Sequence, residues 1–197
     1  MQGTAIVLAA GASRRMGYPK ALLPWGTGTF VQHLCGLLGG LKFGGRAVVT
    51  RAELSEQLRV DWPIWLNPDP ERGMLSSLQT ALHRVSDDCP WLMVALVDQP
   101  AISLETFETM ASQAGEQGWS SPTYQGRRGH PVIIGRQCFE GLRTAAPGQN
   151  PRDVLARYPR TLVEVRDRCI ALDFDTPEEW QSFQARGLRV HPPKPAP

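Results

Sequence analysis

Short apolar runs alternate with longer amphipathic stretches along most of the chain. The apolar runs have the length of buried strands, and the stretches between them repeat hydrophobic residues at helical spacing. This alternation is typical of βαβ units around a mostly parallel sheet, so the predicted fold class is α/β. The predicted strands cover residues 4–9, 46–50, 64–67, 92–97, 131–134 and 161–165. The predicted helices cover residues 29–39, 52–59, 74–85, 103–115, 135–144, 151–157 and 177–186.

The chain length fits one folding unit. A domain of 197 residues buries about 70% of the surface that its unfolded chain exposes, which suffices for one substantial core. We therefore expect a single domain over residues 1–188. The remaining residues, 189–197, are rich in proline and are predicted to be a disordered tail.

The first predicted strand runs into a loop of small residues that then presents cationic side chains. Residues 10–13 are Ala, Gly, Ala and Ser, which allow backbone N–H groups to approach phosphate oxygens closely. Arg15 and Lys20 follow, and they could neutralise the charge that develops as pyrophosphate leaves a triphosphate. The loop has neither the glycine pattern of the dinucleotide fingerprint nor the glycine-lysine-serine/threonine ending of a P-loop, which excludes both of those phosphate sites.

An acidic residue follows the most apolar of the predicted strands. Asp98 comes directly after residues 92–97, and ligands of open α/β sheets bind at the edge where the strands end. Mg²⁺ prefers one or two carboxylates together with phosphate oxygens and water. From its position alone, Asp98 is either a metal ligand or a cap for the turn that follows the strand.

Two further carboxylates lie near the end of the chain, at Asp173 and Asp175. In an extended segment these two side chains point to the same side, so both could face one ion. Asp175 is the predicted second metal ligand, and Asp173 is the reserve. Thr176 and Glu179 fit a capping box, so Asp175 and Thr176 could also simply cap the last helix.

Residues 67–79 pass from a strand end through Gly73 into a helix whose first turn carries Ser76 and Ser77. The free N–H groups and hydroxyls of such a helix start can bind a base edge, a ribose or a phosphate. Periodicity alone also fits an ordinary glycine turn that leads into a serine-rich helix start.

A cationic turn precedes the strand predicted at residues 131–134. It contains Arg127, Arg128 and His130. An arginine pair can bind an anionic acceptor, and an arginine pair in a loop is equally common on a solvated surface. The sequence leaves both interpretations open.

The charge balance limits the classes of partner. The 21 basic and 19 acidic residues are spread along the chain and give a net charge of +2, so we expect neither nucleic acid nor a membrane as a partner. The four cysteines lie far apart, without the spacing of a zinc site or a disulfide framework, and are predicted to be reduced thiols. Strand-like sequence begins almost at the N-terminus, without a targeting segment, so the expected location is the cytoplasm.

The loop after the first strand resembles a signature of the MobA-like nucleotidyltransferases, Leu-Ala-Ala-Gly-x-Ser-x-Arg-Met-Gly-x-x-Lys. The matching residues are Leu8, Ala9, Ala10, Gly11, Ser13, Arg15, Met16, Gly17 and Lys20. Four further segments are similar to segments of that family in the same order: Gly-Met-x-Ser-Ser-Leu at 73–78, Asp-Gln-Pro at 98–100, Gly-His-Pro at 129–131 and Asp-x-Asp-Thr-Pro at 173–177. The resemblance implies a three-layer α/β/α, Rossmann-like fold of the nucleotide-diphospho-sugar transferase type.

The resemblance also implies roles for individual residues. The nucleotide-binding residues that it implies are Leu8, Ala9, Ala10, Gly11, Ser13, Arg15, Lys20, Asn67, Gly73, Ser76 and Ser77. Arg15, Lys20 and Asp98 would be catalytic, and Asp98 and Asp175 would hold Mg²⁺. The implied acceptor-binding residues are Gln99, Arg127, Arg128 and His130. His130 is not needed as a general base, because a phosphate monoester with a second pKa of about 6 is already largely dianionic near neutral pH.

Ala10 lies where two branches of this family differ. Leu-Ala-Ala-Gly is similar to the branch that transfers a cytidylyl group to molybdopterin, whereas the guanylyl-transferring branch usually has Leu-Ala-Gly-Gly. The resemblance thus implies an enzyme that moves a cytidylyl group from CTP to a molybdopterin-type cofactor, releases pyrophosphate and supplies a recipient molybdoenzyme. Two alternatives stay open: guanylyl or adenylyl transfer to molybdopterin or another phosphorylated acceptor, and a non-catalytic carrier of molybdenum cofactor.

Overall fold

The computed structural model describes residues 2–185, and most of this part of the chain is a mixed β-sheet with helices on both faces. Alternate residues of the central strand β1 (Thr4–Leu8) enter two separate hydrophobic cores: Ala5 and Val7 enter one, and Ile6 and Leu8 enter the other. The whole strand is buried because both faces of the sheet are covered, which explains its almost wholly apolar sequence. This three-layer α/β/α arrangement confirms the predicted fold class.

The described residues form eight strands in the central sheet and two in a separate hairpin. The order across the sheet is β5-β4-β1-β6-β9-β7-β10, and β8 pairs with β7. Strands β8 and β9 run against the direction of the other six. Besides β1, the strands of the sheet are β4 (Gly45–Thr50), β5 (Ile64–Leu66), β6 (Trp91–Leu96), β7 (Trp119–Tyr124), β8 (Arg127–Arg128), β9 (Val132–Gly135) and β10 (Arg160–Glu164). The hairpin consists of β2 (Pro24–Trp25) and β3 (Gly28–Thr29).

The helices divide between the two faces of the sheet. They are α1 (Phe30–Gly39), α2 (Ala52–Ser55), α3 (Met74–Leu82), α4 (Leu104–Ser112), α5 (Phe139–Arg143), α6 (Pro151–Leu155) and α7 (Pro177–Ala185). Helices α1, α2, α4 and α7 contribute to the core that contains Val7, and α3, α5 and α6 contribute to the core that contains Ile6. Short 3-10 helices cover Lys20–Leu22, Pro70–Arg72, Arg136–Cys138 and Arg168–Ala171.

All six predicted strands are present, and each end lies within one residue of its predicted position. Strand β7 was not predicted, because Ser120, Ser121 and Pro122 interrupt its hydrophobic pattern, although both serines are buried. Strand β9 runs antiparallel to β7 because residues 125–131 are too few for a crossover, which needs about a dozen residues. Several helices are shorter than predicted, and the segment predicted at 135–144 begins as a 3-10 helix.

Two smaller predictions agree with the structure. The four cysteines are unpaired, as expected. Thr176 and Glu179 form the predicted capping box, in which the Glu179 carboxylate accepts hydrogen bonds from the backbone N–H groups of Asp175 and Thr176. Among residues 2–185, no helix combines the length and apolar character that a membrane crossing requires. The predicted tail at 189–197 lies outside the described residues.

Candidate functional site

The loop after β1 closes on itself through the main chain and side chain of Ser13. The Ser13 carbonyl accepts hydrogen bonds from the N–H groups of Met16 and Gly17, and its Oγ accepts one of 3.1 Å from the N–H of Lys20. Ser13 and Gly17 both adopt positive φ angles, of 51° and 68°, which the tight turn requires. This closure leaves the Arg15 side chain exposed and holds Lys20 at the inner side of the loop.

The start of this loop is attached to the neighbouring strand. The hydroxyl of Thr50 donates to the Ala9 carbonyl over 3.2 Å, and Nε of Arg51 donates to the Ala10 carbonyl over 3.1 Å. Both donors lie at the carboxyl end of β4, which pairs with β1 in parallel. The backbone of the small residues is therefore held in place from the side, independently of any ligand.

Lys20 lies between two carboxylates. Its Nζ donates to Oδ2 of Asp98 over 3.0 Å and to Oδ1 of Asp175 over 2.5 Å. The Arg15 guanidinium contacts the other carboxylate oxygen of Asp175 over 2.6 Å. The Lys20 side chain is only 12% exposed, and each carboxylate side chain is 25% exposed. Residues that are far apart in sequence thus form one compact charged cluster at the carboxyl edge of the sheet.

A main-chain hydrogen bond connects the two carboxylate-bearing segments. The N–H of Phe174 donates to the carbonyl of Asp98 over 3.0 Å. The Phe174 side chain is almost fully buried in an aromatic cluster whose other members are Trp25, Phe30, Trp180 and Phe183. Because Phe174 is anchored on both its main chain and its side chain, Asp175 is fixed beside Asp98.

The charged cluster shifts the acidities of its members. Burial raises the pKa of Asp98, the Lys20 ammonium partly offsets this rise, and the carboxylates of Asp173 and Asp175 add to it. The hydrogen bond from Lys20 lowers the pKa of Asp175, and Arg15 acts in the same direction. Burial lowers the pKa of Lys20, but its contacts with Asp175 and Asp98 outweigh burial and raise that pKa above the usual range. Lys20 is therefore a fixed positive charge near neutral pH.

The cluster forms one wall of a cleft of about 350 Å³, which is within the range of small-molecule sites. The opposite walls are the small-residue loop and the start of α3. The site residues predicted from the sequence that line this cleft are Leu8, Ala9, Ala10, Gly11, Ser13, Arg15, Lys20, Gly73, Ser77, Asp98 and Asp175. Asp173 instead lines a separate neighbouring cavity. The geometry therefore pairs Asp98 with Asp175 in this cleft, as the sequence interpretation preferred.

Asn67 and Ser76, which the sequence interpretation placed at the nucleotide, are engaged with other parts of the protein. The Asn67 side-chain amide donates to the hydroxyls of Ser76 and Ser77 over 2.8 and 3.0 Å, and its carbonyl oxygen accepts from the N–H of Asp69. The Ser76 hydroxyl also contacts the Gly73 carbonyl over 2.8 Å. Both residues hold the loop before α3 in shape, and Ser77 and Gly73 are the members of this group that line the cleft.

The acceptor-binding candidates lie outside the lining of the cleft. Arg127 and Arg128 form the exposed strand β8. His130 is half-buried, and burial, with a smaller contribution from Arg152, lowers its pKa to about 4. Gln99 is buried next to Asp98, and its Oε1 has no hydrogen-bond partner within the described residues. His130 precedes β9, whose first residues pair with the end of β6, so it lies at the same sheet edge as Asp98.

One ion-pair network was not found from the sequence. The Glu71 carboxylate contacts Arg14 over 2.8 Å and Arg51 over 3.2 Å. It thereby joins the small-residue loop to the segment before α3, across the cleft. No local pattern marks these three residues, because they belong to three different connections and come together only in the folded chain.

The chain is similar to known proteins over most of its length. A family model described as MobA-like NTP transferase domain matches residues 5–162. The chain is 28% identical over 191 residues to a molybdenum cofactor cytidylyltransferase of Escherichia coli (strain K12), with 94% of this chain and 97% of that protein covered. It is 31% identical over 199 residues to the nicotine blue oxidoreductase of Paenarthrobacter nicotinovorans, with 89% and 93% covered.

A solved structure adds a comparison in three dimensions. The manganese complex of the protein Rv0371c from Mycobacterium tuberculosis H37Rv superimposes with a TM-score of 0.77 at 25% sequence identity. The match covers 92% of this chain and 97% of that one. The similarity therefore extends over nearly the whole fold.

Proposed function

Because this chain belongs to the MobA-like NTP transferase family and is a nucleotidyltransferase, we propose that it transfers a cytidylyl group from CTP to the phosphate of a molybdopterin-type cofactor. The observation that carries the proposal is the cleft in which Asp98, Asp175, Lys20 and Arg15 meet the small-residue loop. Such a cleft combines close approach to backbone N–H groups with fixed charges of both signs, as a triphosphate and a divalent cation require.

Asp98 and Asp175 are the residues that would hold the divalent cation, which we propose to be Mg²⁺. Their carboxylates face one cleft and offer the hard oxygen ligands that Mg²⁺ and Mn²⁺ prefer. The manganese complex of the mycobacterial neighbour supports a divalent ion in this fold. A cation bound there would stabilise charge on the phosphate oxygens and orient the triphosphate.

The residues of the loop bind and orient the nucleotide. The small side chains of residues 10–13 allow their N–H groups to reach the β- and γ-phosphates, and Lys20 and Arg15 supply positive charge where pyrophosphate develops. An oxygen of the acceptor phosphate forms a bond to the α-phosphorus, and the bond between that phosphorus and the pyrophosphate oxygen breaks. The attacking phosphate needs no general base, so catalysis consists of positioning and electrostatic stabilisation.

The preference for CTP rests on Ala10 and on the E. coli relative. Ala10 is almost fully buried at the base of the cleft, and its carbonyl is fixed by Arg51. A methyl group held in this way reduces the space for a purine beside the loop. Guanylyl or adenylyl transfer is the alternative within the same mechanism.

We place the acceptor at the sheet edge beside Asp98, against Gln99, Arg127, Arg128 and His130. The arginines of β8 offer charge for a phosphate, and Gln99 follows Asp98 directly, although its Oε1 is buried in this structure. The lowered pKa of His130 keeps its imidazole neutral, which suits hydrogen bonding better than anion binding. A recipient molybdoenzyme would then take the product.

Two other activities are compatible with the fold. A carrier of molybdenum cofactor would gain little from two carboxylates beside a polyanion, because like charges repel. The Paenarthrobacter relative has an oxidoreductase name, but hydride transfer does not require a pair of carboxylates next to a polyphosphate site. The Asp98–Lys20–Asp175 cluster therefore supports nucleotidyl transfer over both.

Pyrophosphate release tests the proposal directly. The purified protein is incubated with molybdopterin-type cofactor and either Mg²⁺ or Mn²⁺, and CTP, GTP, ATP and UTP are supplied in turn. Release with CTP alone is the expected result. Release with another nucleotide would retain the mechanism and overturn the base assignment. If none of the four nucleotides releases pyrophosphate and nucleotide binding does not depend on the cation, the result would favour the carrier.

A further inference from the structure

The ammonium of Lys20 occupies the space between the two carboxylates that face the cleft. It contacts one oxygen of Asp98 and one of Asp175, and it is the most buried side chain of the three. Arg15, which reaches Asp175 from outside, is 71% exposed and contacts only that carboxylate. Lys20 is thus the cation that bridges the pair.

An ammonium in this position and a divalent cation require the same oxygens. Mg²⁺ and Mn²⁺ bind carboxylate oxygens at about 2.0–2.2 Å, and a second positive charge within hydrogen-bond distance of those oxygens opposes binding by Coulomb repulsion. Lys20 can vacate the position, because only its main chain is fixed by Ser13 and its four-carbon side chain has several rotatable bonds. The cleft that Lys20 lines is also lined by the small-residue loop, so a triphosphate on that loop lies within its reach.

We propose that Lys20 acts as an internal cation that competes with the divalent metal for Asp98 and Asp175, and that the nucleotide triphosphate releases both carboxylates by drawing Lys20 to itself. The proposal rests on the proposed metal role of these two aspartates. Its consequence is that metal and nucleotide bind with positive coupling, and the coupling is reciprocal by thermodynamic linkage. The protein without nucleotide then holds metal weakly, and the complete site forms only when both are present.

Mn²⁺ binding to the nucleotide-free protein tests this competition, with free Mn²⁺ followed by electron paramagnetic resonance. Lys20→Met removes the ammonium and keeps a long apolar side chain. We expect this variant to bind Mn²⁺ at least 10-fold more tightly than the unchanged protein. Lys42→Met is the matched control, because Lys42 is exposed before β4, at the opposite edge of the sheet, and it should leave Mn²⁺ affinity unchanged.

Two further variants identify the source of the effect. Lys20→Met combined with Asp175→Asn should lose the gain, because the affinity depends on the paired carboxylates. Arg15→Met should change Mn²⁺ affinity by less than about 3-fold, because its exposed charge is screened by solvent. Mn²⁺ should raise the affinity of the unchanged protein for a non-hydrolysable CTP analogue. In Lys20→Met this increase should be at least 10-fold smaller, because the competition that produces the coupling is gone.

The outcomes separate this proposal from the proposed function. If folded Lys20→Met binds Mn²⁺ no more tightly than the unchanged protein, Lys20 does not compete with the metal, and the proposal is wrong whatever the turnover. If Lys20→Met does not fold, Lys20→Gln, which keeps a polar side chain without the charge, is measured in the same way and carries the same expectation. If neither the unchanged protein nor Lys20→Met binds Mn²⁺, even with nucleotide present, then Asp98 and Asp175 are not the metal ligands. This proposal is then wrong as well.

Discussion

The N–H of Phe174 donates a hydrogen bond of 3.0 Å to the carbonyl of Asp98, and this bond brings the segment before α7 to the end of β6. Asp98 and Asp175 are separated by most of the second half of the sequence, yet their carboxylates share one lysine. The hydrogen bond joins Asp98 to the residue directly before Asp175, so a shift in the aromatic packing around Phe174 displaces Asp175 directly.

Trp180 should therefore affect activity although it touches no part of the cleft. It is 8% exposed and packs against both Phe174 and Trp25. We expect Trp180→Ala to lower the free energy of unfolding by about 3–5 kcal/mol, and to lower turnover and Mn²⁺ affinity by about 10- to 100-fold because Asp175 loses its support. Urea unfolding and pyrophosphate release measure the two effects.

Trp62→Ala is the control for that experiment. Trp62 is equally buried but lies before β5, away from the cluster. Trp62→Ala should lower the free energy of unfolding by about as much as Trp180→Ala does. Its turnover, measured below the unfolding transition, should stay within about 2-fold of that of the unchanged protein. Trp180→Phe should recover most of the activity. Equal losses of turnover in both alanine variants would contradict a positioning role for Trp180.

Asp98 should be indispensable for turnover. Replacing it with Asn keeps the shape and removes the charge, so we expect turnover at saturating nucleotide to fall at least about 100-fold, with the far-ultraviolet circular dichroism spectrum unchanged. Asp88→Asn is the matched control, because Asp88 is exposed before β6 and Asp98 follows the same strand. Near-normal turnover of Asp98→Asn would contradict the metal assignment.

Most of the fold could be predicted from the sequence because hydrophobic runs and helix starts are local signals. The six apolar strands and the capping box of Thr176 and Glu179 follow from such patterns. Strand β7 could not be predicted, because its buried serines resemble a loop and are accommodated only by tertiary packing. The direction of β9 depends on the length of its connection rather than on its composition.

Some features of the candidate site were also predictable from the sequence, and others were not. The small-residue loop and Asp98 follow apolar strands, so their location at the sheet edge was predictable. The engagement of Asn67 with Ser76 and Ser77 was not, because a buried amide and two hydroxyls satisfy one another only once α3 is in place. The same holds for Lys20, whose bridge between two carboxylates joins three distant segments.

His130 should make the protein less stable in mild acid. Burial lowers its folded-state pKa to about 4, whereas in the unfolded chain its pKa is near 6.5, so between these values the unfolded state binds more protons. Its contribution to stability is present above pH 6.5 and is lost as the pH falls towards 4, at up to about 1.4 kcal/mol per pH unit. Urea unfolding between pH 7 and pH 5 measures the slope.

The variant His130→Gln isolates this contribution. His33, whose pKa burial also lowers to about 4, keeps its own share of the slope. We therefore expect His130→Gln to reduce the dependence of stability on pH without abolishing it. An unchanged slope in this variant would show that folding does not lower the pKa of His130.

The native Glu71 carboxylate should lower the affinity for the nucleotide, because it places a negative charge beside the opening of a site for a polyanion. Its carboxylate contacts Arg14 and Arg51, and both Glu71 and Arg14 are more than half exposed, so the ion pair with Arg14 contributes at most about 1 kcal/mol to stability. We expect Glu71→Gln to free Arg14 for the triphosphate and to lower the KM for the nucleotide by about 2- to 5-fold at low salt. The effect should shrink as ionic strength rises, because screening shortens the range of both interactions.

The control for Glu71→Gln is Glu108→Gln, which removes the same charge from an exposed position on α4. If the gain came only from the net charge of the protein, both variants would lower the KM equally. If Glu71 instead holds the two walls of the cleft in their binding geometry, its replacement would raise the KM at every ionic strength. A salt-dependent decrease confined to Glu71→Gln is the result that assigns the effect to the local competition for Arg14.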